Sequence, residues 1–524
     1  MSEAPLMLGV SGLRGIVGES LTPEVAVKYA AAFGAWLRGG NVMVARDGRA
    51  GGETIYEAVI EGLLRSGCNV FEAGVQMTPT VGCVIQCGQF IEAGVVVTAS
   101  HNPQEWNGIK LIVDGAAPAA DVTNEIIERF RSEDEIVESK RGKRKVEDGA
   151  AKMHRVEVSD QLHWRLSHQL EDPKRNRPLL GSGKPAWRVV VDSVNASGRV
   201  IVPEFFQTEL NVELHHIFAD ESGIFPHTPE PTAENLSGEG GLCDAVPGLK
   251  ADVGFAQDPD GDRLAIVDEQ GKYIGEEYTF VLAAMSILEA RKSRGREHAE
   301  AAEEDGALTP ALSRGARERE EEKTPHPGSL PQGDREEDVV ICVNLSTSRM
   351  IDDVASRYGA RVVRTAVGEA NVVEAMKKLK REGKNVILGG EGNGGVIWPE
   401  VTYVRDSLGA MALTLSLMAR TGKTVSELVA DVPSYAIVKR KQPLAKKEDA
   451  RPTIEKLTAH YSAMGEGVRV DTQDGVRIDF EADRAWVHLR ASNTEPILRL
   501  IGEAPTQERA EVVLDEVQRL VDAD

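Results

Sequence analysis

The feature that most constrains this fold is a pattern that occurs three times: an apolar strand, a helical run and a second strand. The first copy covers residues 42–47, 53–65 and 69–72, and further copies begin at Arg188 and Val339. This domain-sized spacing predicts three similar α/β domains and argues against a solenoid, whose repeats are much shorter. Because such crossovers are right-handed, we expect mixed, largely parallel sheets.

The last part of the chain has a different pattern. Hydrophobic alternation at 468–470, 476–480 and 485–489, with an Asp-Gly turn signal between the first two runs, predicts an antiparallel meander. An amphipathic run at 507–521 predicts a closing helix. We therefore expect a C-terminal α+β domain and four domains in all, with bounds at residues 1–160, 161–272, 273–430 and 431–524.

The segment 289–338 does not fit this plan. It is rich in Glu, Arg, Ala, Pro and Gly and has few large apolar residues. Such a composition cannot bury enough apolar surface to fold alone, so we predict a disordered surface insertion in the third domain with no catalytic role. A segment that docks a partner is the alternative.

Charge and cysteine content narrow the class of protein. The formal net charge of −22 argues against nucleic acid or an anionic membrane as a partner. Five cysteines, odd in number and mostly in apolar contexts, predict reduced thiols in a cytoplasmic protein. Cys83 and Cys87 have no second Cys or His pair near them in sequence, which argues against zinc. No apolar stretch reaches membrane-spanning length, and residues 1–5 lack a signal-peptide pattern.

The first candidate site is the hexapeptide Thr-Ala-Ser-His-Asn-Pro at 98–103, called here the serine loop. It follows an apolar run at 94–97 that predicts a buried strand. A serine is thus placed at a strand end, in a turn that Pro103 stiffens and where Asn102 can bond its own backbone. This is a suitable place for a nucleophile, and an ordinary polar turn is the alternative.

The second candidate is Asp-Pro-Asp-Gly-Asp-Arg at 258–263, the aspartate loop. Its carboxylates at Asp258, Asp260 and Asp262 alternate along the chain and can converge on one hard cation, for which oxygen ligands favour Mg²⁺. A solvated acidic turn is the alternative. A calcium loop is a weaker one, because position 267 is Val where such a loop needs a bidentate Glu.

Two further loops complete the set. The glycine loop at 389–395 follows an apolar strand, and its Glu391 and Asn393 can hydrogen-bond the vicinal hydroxyls of a sugar. The arginine loop at 490–496 offers hydroxyls, an amide and a guanidinium, with Arg499 just beyond, and such groups bind phosphate. Taken singly, the first could be a flexible turn and the second a solvated or salt-bridged arginine.

The four loops, in this order, resemble those of the α-D-phosphohexomutase superfamily, which includes phosphoglucomutase, phosphomannomutase and phosphoglucosamine mutase. The resemblance extends from Gly-Val-Ser-Gly-Leu-Arg-Gly at 9–15 to the arginine loop, so it covers nearly the whole chain. It implies a sugar phosphate as small-molecule substrate and an intramolecular transfer of phosphate between the anomeric and the C6 oxygen of a hexose. It also implies a bound Mg²⁺ and a phosphoserine at Ser100, in a monomer or a dimer.

The resemblance also implies residue roles. Ser100 would carry the phosphate, and Mg²⁺ would be held by Ser100 together with Asp258, Asp260 and Asp262. The residues that would act with Ser100 in catalysis are Lys110, Arg14 and His101. For Lys110 and Arg14 the alternative is ion pairing or solvation. The expected substrate-binding residues are Arg263, Glu391, Asn393, Arg490, Ser492, Asn493, Thr494 and Arg499. Because the loops come from four successive domains, they must meet in one central cleft, on which we expect the short last domain to close.

The sequence departs from the family pattern in the glycine loop. Many members have Ser where Asn393 stands and His where Gly395 stands, and that His can serve in proton transfer. The Glu-x-Asn-Gly-Gly form resembles an archaeal-type branch of phosphoglucosamine mutases, which makes glucosamine phosphate the first choice of substrate. Mannose phosphate and glucose phosphate are the alternatives within the family. A phosphosugar-binding protein without turnover and a metal phosphatase are the alternatives outside it.

Overall fold

Four β-sheets follow one another along the chain in the computed structural model. The residues described are 6–9, 12–88, 90–132, 152–156, 165–166, 171–172, 177–178, 187–210, 212–307, 338–492 and 497–522. A short antiparallel pair, Glu171–Asp172 with Arg177–Pro178, lies between the first and second sheets in sequence. The alternation of parallel strands and helices predicted from the three repeats is confirmed.

The first sheet has seven strands, and its central strands are buried on both faces. Val42 and Val44 pack into one hydrophobic cluster and their neighbours Met43 and Ala45 into another, as the two-residue period of a strand requires. The helices are Pro23–Leu37, Glu53–Arg65, Thr78–Cys87 and Ala120–Arg131. The strands, in spatial order, are Met7–Gly9, Gly12–Ile16, Trp106–Val113, Ala93–Val97, Gly40–Arg46, Cys68–Val75 and Met153–Arg155.

The second and third sheets have four strands each and the same topology. In spatial order the second contains Glu213–Ile217, Arg188–Asp192, Val253–Gln257 and Leu264–Val267. The third contains Arg361–Thr365, Val339–Asn344, Asn385–Glu391 and Gly395–Ile397. In each, three strands are parallel and the last is antiparallel. Helices near the second sheet are Gly198–Glu204, which continues as a π-helical turn at Phe205–Glu209, Ala233–Leu236 and Leu242–Gly248.

The third sheet is flanked by longer helices: Glu276–Ala307, Met350–Arg357, Glu369–Arg381, Ser407–Thr421 and Val425–Ala430. One hydrophobic cluster joins the second and third sheets, since Phe255 of the former, Phe280 of the first of these helices and Leu388 of the latter all belong to it. The two sheets are therefore held together by apolar packing, and their loops keep fixed relative positions.

The fourth sheet contains the three-stranded antiparallel meander expected for the C-terminal part, together with two strands that were not predicted, Ala436–Pro443 and Ile497–Ala504. Its spatial order is Ala436–Pro443, Ile497–Ala504, Ala485–Ala491, Val476–Phe480 and Val468–Asp471. The 3₁₀ turn Lys447–Asp449 and the helices Ala450–Ser462 and Gln507–Asp522 accompany it.

Three of the candidate loops occupy equivalent positions in the first three sheets. The serine, aspartate and glycine loops each follow a strand that pairs parallel with one neighbour, namely Ala93–Val97, Val253–Gln257 and Asn385–Glu391, and lead into an antiparallel neighbour. The repeat thus delivers one polar loop from each of these sheets. The arginine loop connects two strands of the fourth sheet, which is antiparallel throughout.

The structure corrects the start of the predicted disordered insertion. The helix that begins at Glu276 continues to Ala307, so residues 289–307 are helical. This stretch consists largely of Glu, Ala, Arg and Lys, which are good helix formers, and the anchored helix propagates through it at little cost. Residues 308–337 lie outside the described residues.

Among the helices of the described part of the chain, none combines the length and apolar character needed to cross a lipid bilayer.

The helix Ser407–Thr421 begins at a buried carboxyl group that makes its stability pH-dependent. Asp406 accepts a hydrogen bond from the Leu408 amide at 2.9 Å, and burial raises its pKa to about 7. The unfolded chain releases this proton near the ordinary Asp pKa, so as pH rises from about 4 to about 7 the folded state is progressively destabilised.

We expect Asp406→Asn to remove this loss. The advantage of the variant over the parent should grow by about 2 kcal/mol between about pH 5 and about pH 8, seen as a rising difference in melting temperature. Asp121→Asn, at an exposed position in the first turn of the helix Ala120–Arg131, is the control. A difference in melting temperature that stays constant across this pH range would contradict the assignment.

Candidate active site

Ser100 is held in an unusual backbone conformation at the centre of the serine loop. It follows the buried strand Ala93–Val97, its φ is 51°, and only 1% of the residue is exposed. A side chain other than glycine rarely adopts a positive φ, and such strain often occurs at functional sites. The Ser100 hydroxyl donates to Asp258 Oδ2 at 2.6 Å, and Ser100 Oγ also lies 3.2 Å from His101 Nδ1. The serine and aspartate loops therefore meet through this hydroxyl.

A buried ion pair braces the serine loop. Asp47 Oδ2 accepts from Thr98 Oγ1 at 2.6 Å and from Arg49 Nε at 2.8 Å. Arg49 then donates to the Ser100 carbonyl and to the Trp106 carbonyl, both at 2.6 Å. The sequence analysis missed Arg49, because a side chain that binds backbone carbonyls leaves no pattern of partner residues in the sequence.

The aspartate loop forms a compact acidic cluster. Gly261 has a φ of 68°, which allows the tight turn. Asp258 Oδ1 accepts from the amides of Asp262 and Arg263, both at 3.0 Å. Each of the three aspartates offers a carboxylate oxygen, and these oxygens lie within 4.8 Å of one another.

These residues fit a hard divalent cation. Asp260 Oδ1 and Asp262 Oδ1 are buried and have no hydrogen-bond partner among the described residues. Buried carboxylate oxygens without a partner are costly, and a cation coordinated by oxygen would satisfy them. An all-oxygen donor set favours Mg²⁺ over Zn²⁺.

The pKa values of two of these carboxyl groups, Asp258 and Asp262, are shifted in opposite directions. Burial, together with Asp262 and Asp260, raises the pKa of Asp258 well above its usual range. Burial alone would also raise the pKa of Asp262, but Arg405 and Lys110 outweigh it and hold this pKa far below the usual value. Asp262 is therefore ionised at neutral pH, whereas Asp258 without a cation holds its proton more tightly.

Lys110 lies between two of the aspartates. It comes from the strand Trp106–Val113, and its Nζ donates to Asp260 Oδ2 and to Asp262 Oδ2, each at 2.6 Å. Burial by itself would lower the pKa of Lys110, but the two carboxylates outweigh it and raise the pKa. Thr78 Oγ1 also donates to Asp260 Oδ2 at 2.6 Å, a further contact that the sequence analysis missed.

Arg14, His101 and Arg263 surround the same centre. Arg14 Nη1 donates to Asn102 Oδ1 at 2.8 Å and to the Ala99 carbonyl at 3.2 Å, and burial lowers its pKa. Burial, followed by the positive charges of Arg263 and Arg14, lowers the pKa of His101 to about 2. His101 is therefore neutral at physiological pH.

The glycine loop packs against the aspartate loop. The Leu264 amide donates to the Gly394 carbonyl at 3.0 Å. Glu391 Oε1 accepts from Asn344 Nδ2 at 2.8 Å and from the Gly368 amide at 3.2 Å. Asn393 Oδ1 is buried and has no partner among the described residues, so it is available to a ligand.

Arg405, which the sequence analysis did not single out, joins these loops. It donates to Asp262 Oδ2 at 2.6 Å, to Glu391 Oε2 at 3.2 Å and to Glu369 Oε2 at 3.1 Å. The serine, aspartate and glycine loops thus form one continuous polar cluster.

The arginine loop approaches this cluster from the fourth sheet. Arg490 and Arg499 are opposite one another on adjacent strands, and Ser492 is buried. Arg490 Nε donates at 3.0 Å to Asp474 Oδ2, which also accepts from the Val367 amide at 3.1 Å. The next amide along the chain is that of Gly368, which binds Glu391, so the 367–368 segment links the arginine and glycine loops. Asn493 and Thr494 lie outside the described residues.

Known protein families match the chain in four successive parts. Residues 5–137, 177–271 and 329–435 match phosphoglucomutase/phosphomannomutase alpha/beta/alpha domains I, II and III, and residues 438–520 match the C-terminal domain of that family.

Curated relatives agree over nearly the full length. A phosphoglucomutase/phosphomannomutase of Thermococcus kodakarensis is 33% identical over 97% of both chains. A protein of Methanopyrus kandleri named probable phosphoglucosamine mutase is also 33% identical, over 98% of this chain and 97% of its own.

Solved structures have the same fold. A phosphoglucomutase/phosphomannomutase family protein of Burkholderia thailandensis has a TM-score of 0.74 at 25% identity, covering 99% of this chain and 98% of its own. The Aspergillus fumigatus N-acetylphosphoglucosamine mutase, in complex with GlcNAc-6P and magnesium, has a TM-score of 0.52 at 13% identity, covering 98% and 95%. This chain is an enzyme that belongs to the phosphoglucomutase/phosphomannomutase family of the α-D-phosphohexomutase superfamily.

Proposed function

We propose that this phosphohexomutase interconverts glucosamine 6-phosphate and glucosamine 1-phosphate through a phosphorylated Ser100 and a bisphosphorylated sugar intermediate. The observation that carries the proposal is the short contact between Ser100 Oγ and Asp258 Oδ2, 2.6 Å, inside a buried acidic cluster. A hydroxyl in that position can pass a phosphoryl group to a sugar in the cleft and take one back, so that water need not compete.

Each half-reaction balances within the site. The phosphoryl group on Ser100 Oγ moves to the free hydroxyl of the sugar monophosphate. The proton of that hydroxyl passes through a proton carrier to Ser100 Oγ, so a free serine hydroxyl and a sugar bisphosphate result. After the sugar turns over in the cleft, Ser100 Oγ gives up its proton and takes the other phosphoryl group, and a proton passes to the sugar oxygen that this group leaves.

Lys110 is the proposed proton carrier. Despite burial, its two carboxylate partners raise its pKa and keep it protonated, so it can donate to the oxygen that loses a phosphoryl group, and it can accept a proton only once those carboxylates no longer hold it. Arg14 stabilises charge on the transferring group, as does Arg263, the last residue of the aspartate loop.

Asp258, Asp260 and Asp262, with Ser100, are the proposed Mg²⁺ ligands. When bound, Mg²⁺ supplies positive charge that neutralises the transferring phosphoryl group. His101 lies against the Ser100 hydroxyl and is neutral, so its proposed part is to orient that oxygen through a hydrogen bond.

Substrate recognition is assigned to the other two loops. Glu391 and Asn393 bind sugar hydroxyls, and the arginine loop holds the phosphate that is not being transferred. Binding energy at that remote phosphate orients the reacting end of the sugar. The residues proposed to hold this remote phosphate are Arg490, Ser492, Asn493, Thr494 and Arg499.

We also propose how the four domains are arranged, where the protein is located in the cell and how many chains it contains. We place the four domains at 1–160, 161–272, 273–430 and 431–524, around a cleft that the last domain closes over the substrate. We further propose a cytoplasmic monomer or dimer, in keeping with five free cysteines.

Support for glucosamine phosphate comes from the form of the glycine loop and from relatives such as the Methanopyrus kandleri protein. The relative of Thermococcus kodakarensis named phosphoglucomutase/phosphomannomutase favours glucose or mannose phosphate as the second candidate.

A panel of three substrates tests this choice. The 1-phosphates of glucosamine, mannose and glucose are each supplied to the full-length protein, with a reporter for the matching 6-phosphate. We expect kcat/KM to be highest for glucosamine 1-phosphate by at least about tenfold, because a site that hydrogen-bonds one substituent rejects sugars that lack it. Equal rates would remove the preference. Release of free phosphate without isomerised sugar would indicate a phosphatase.

A further inference from the structure

Arg405 is buried where three parts of the site converge. The residue is 8% exposed and precedes the helix Ser407–Thr421. Each of its guanidinium nitrogens donates to a different carboxylate: Nη2 to Asp262, Nη1 to Glu391 and Nε to Glu369. The first belongs to the aspartate loop, the second to the glycine loop, and the third begins the helix Glu369–Arg381. No nitrogen is shared, so the planar group fixes three segments relative to one another.

The side chain of Arg405 fills the space beside Gly395. A Cβ atom at position 395 would lie far inside van der Waals contact with Arg405 Cδ and 3.1 Å from Asn393 Oδ1. The Gly at 395, a departure from many family members, is therefore required by the position that Arg405 occupies in this chain. Gly395 has no side chain, and the aliphatic part of Arg405 occupies the space that a side chain at position 395 would fill.

Arg405 contacts one residue proposed to bind the cation and one proposed to bind the sugar. Asp262 is a proposed cation ligand, and Glu391 is a proposed sugar ligand. Arg405 lies 2.6 Å from the first and 3.2 Å from the second, so a shift of either carboxylate changes the geometry offered to the other. Lys110 also binds Asp262, but its other partner, Asp260, belongs to the same loop. Arg405 therefore spans the two loops in a way that Lys110 does not.

We propose that Arg405 is a positioning residue that couples cation binding at the aspartate loop to sugar phosphate binding at the glycine loop. This inference rests on the proposed function for the identity of the two ligands. Coupling between sites is reciprocal, so each ligand raises the affinity for the other by the same factor.

The test measures affinities and needs no turnover. Full-length protein is first shown by intact mass to be unphosphorylated, so a sugar monophosphate binds without reacting. Calorimetry then gives the Kd of Mg²⁺ with and without glucosamine 6-phosphate, and the Kd of the sugar phosphate with and without Mg²⁺. In the parent we expect each ligand to tighten the other by about tenfold.

Two variants disturb Arg405 in independent ways. Arg405→Lys keeps the charge but cannot hold three carboxylates, and Gly395→Ala keeps the arginine but displaces it. Both should still bind each ligand alone, Gly395→Ala with a weaker Kd for the sugar phosphate because the added Cβ also presses on Asn393 Oδ1. Both should reduce the coupling factor, which is a ratio of two Kd values, to below about twofold. Arg405→Met removes the charge and leaves three buried acids unpaired, so it is used only if it folds. Arg188→Met is the control, because Arg188 pairs with Glu213 where two strands of the second sheet begin, at the ends opposite to the aspartate loop, and its loss should keep the parental coupling.

The outcomes separate the inference from the proposed reaction. Parental coupling in both Arg405→Lys and Gly395→Ala would overturn the inference, as would a parent in which neither ligand affects the other. If coupling behaves as expected but the substrate panel shows no interconversion, the reaction is wrong and the positioning role of Arg405 stands.

Discussion

Ser100→Ala is expected to lower the interconversion of hexose phosphates by at least about 10³-fold, since the proposed reaction has no other carrier for the phosphoryl group. Intact mass should at the same time lose the phosphoryl adduct of the active parent. The substitution removes only the hydroxyl that binds Asp258. The Asp47–Arg49 brace holds the serine loop through backbone carbonyls and through Thr98, so the loop should keep its shape.

Ser193 provides a matched control for this variant. It is a buried serine that directly follows the strand Arg188–Asp192, and its hydroxyl contacts His216 and Gln257. Ser193→Ala should retain turnover to within about threefold and keep the phosphoryl adduct. If Ser100→Ala interconverts hexose phosphates at the parental rate, the phosphoserine reaction is wrong whatever the substrate.

Removal of the divalent cation is expected to have the second largest effect. A chelator should reduce turnover by at least about 10²-fold, and added Mg²⁺ should restore it, because the transferring phosphoryl group loses its main charge neutralisation. Mg²⁺ should also raise the melting temperature, since a ligand that binds only the folded state stabilises it and three buried carboxylates would gain a counter-charge. Both quantities are measured against Mg²⁺ concentration.

Asp260→Asn tests the same site from the protein side. Asp260 Oδ2 accepts from Lys110 and Thr78, while Oδ1 has no partner among the described residues and is the atom that a cation would use. The amide preserves size but removes the charge, so turnover should fall about 10²-fold or more and Mg²⁺ should lose its effect on the melting temperature. Asp268→Asn is the control, because Asp268 is also buried but accepts hydrogen bonds from the amides of Gln270 and Lys272 in a turn outside the aspartate loop. Turnover that persists in excess chelator would contradict the metal assignment.

Hydrophobic periodicity predicted helices and strands well where interactions between sequence neighbours decide the secondary structure. The strand, helix and strand of the first repeat lie at Gly40–Arg46, Glu53–Arg65 and Cys68–Val75, within a few residues of their predicted places. The helix Gln507–Asp522 also matches its amphipathic run. The continuation of the helix Glu276–Ala307 through residues 289–307 was not predicted, because this stretch lacks the apolar residues that mark a buried helix and has only its helix propensity to indicate one.

The candidate site was predictable only in part. Motifs identified Ser100 and the three aspartates as chemically suited residues, and the structure brings the serine and one aspartate into direct contact across 158 positions of sequence. Arg49 and Arg405 were not found. Arg49 binds the Ser100 carbonyl from 51 positions away, and Arg405 reaches Asp262 from 143 positions away, so the sequence near each arginine does not show which loop it holds.

By itself the sequence determined the repeated α/β plan, the C-terminal meander and the four polar loops, because hydrophobic periodicity and turn chemistry act over a few neighbouring residues. Tertiary structure alone decided that three of these loops share one buried cluster, that Lys110 lies between two aspartates, and that Arg405 takes the room left by Gly395. These contacts join residues far apart in the chain, and they depend on how whole sheets pack, which no local pattern specifies.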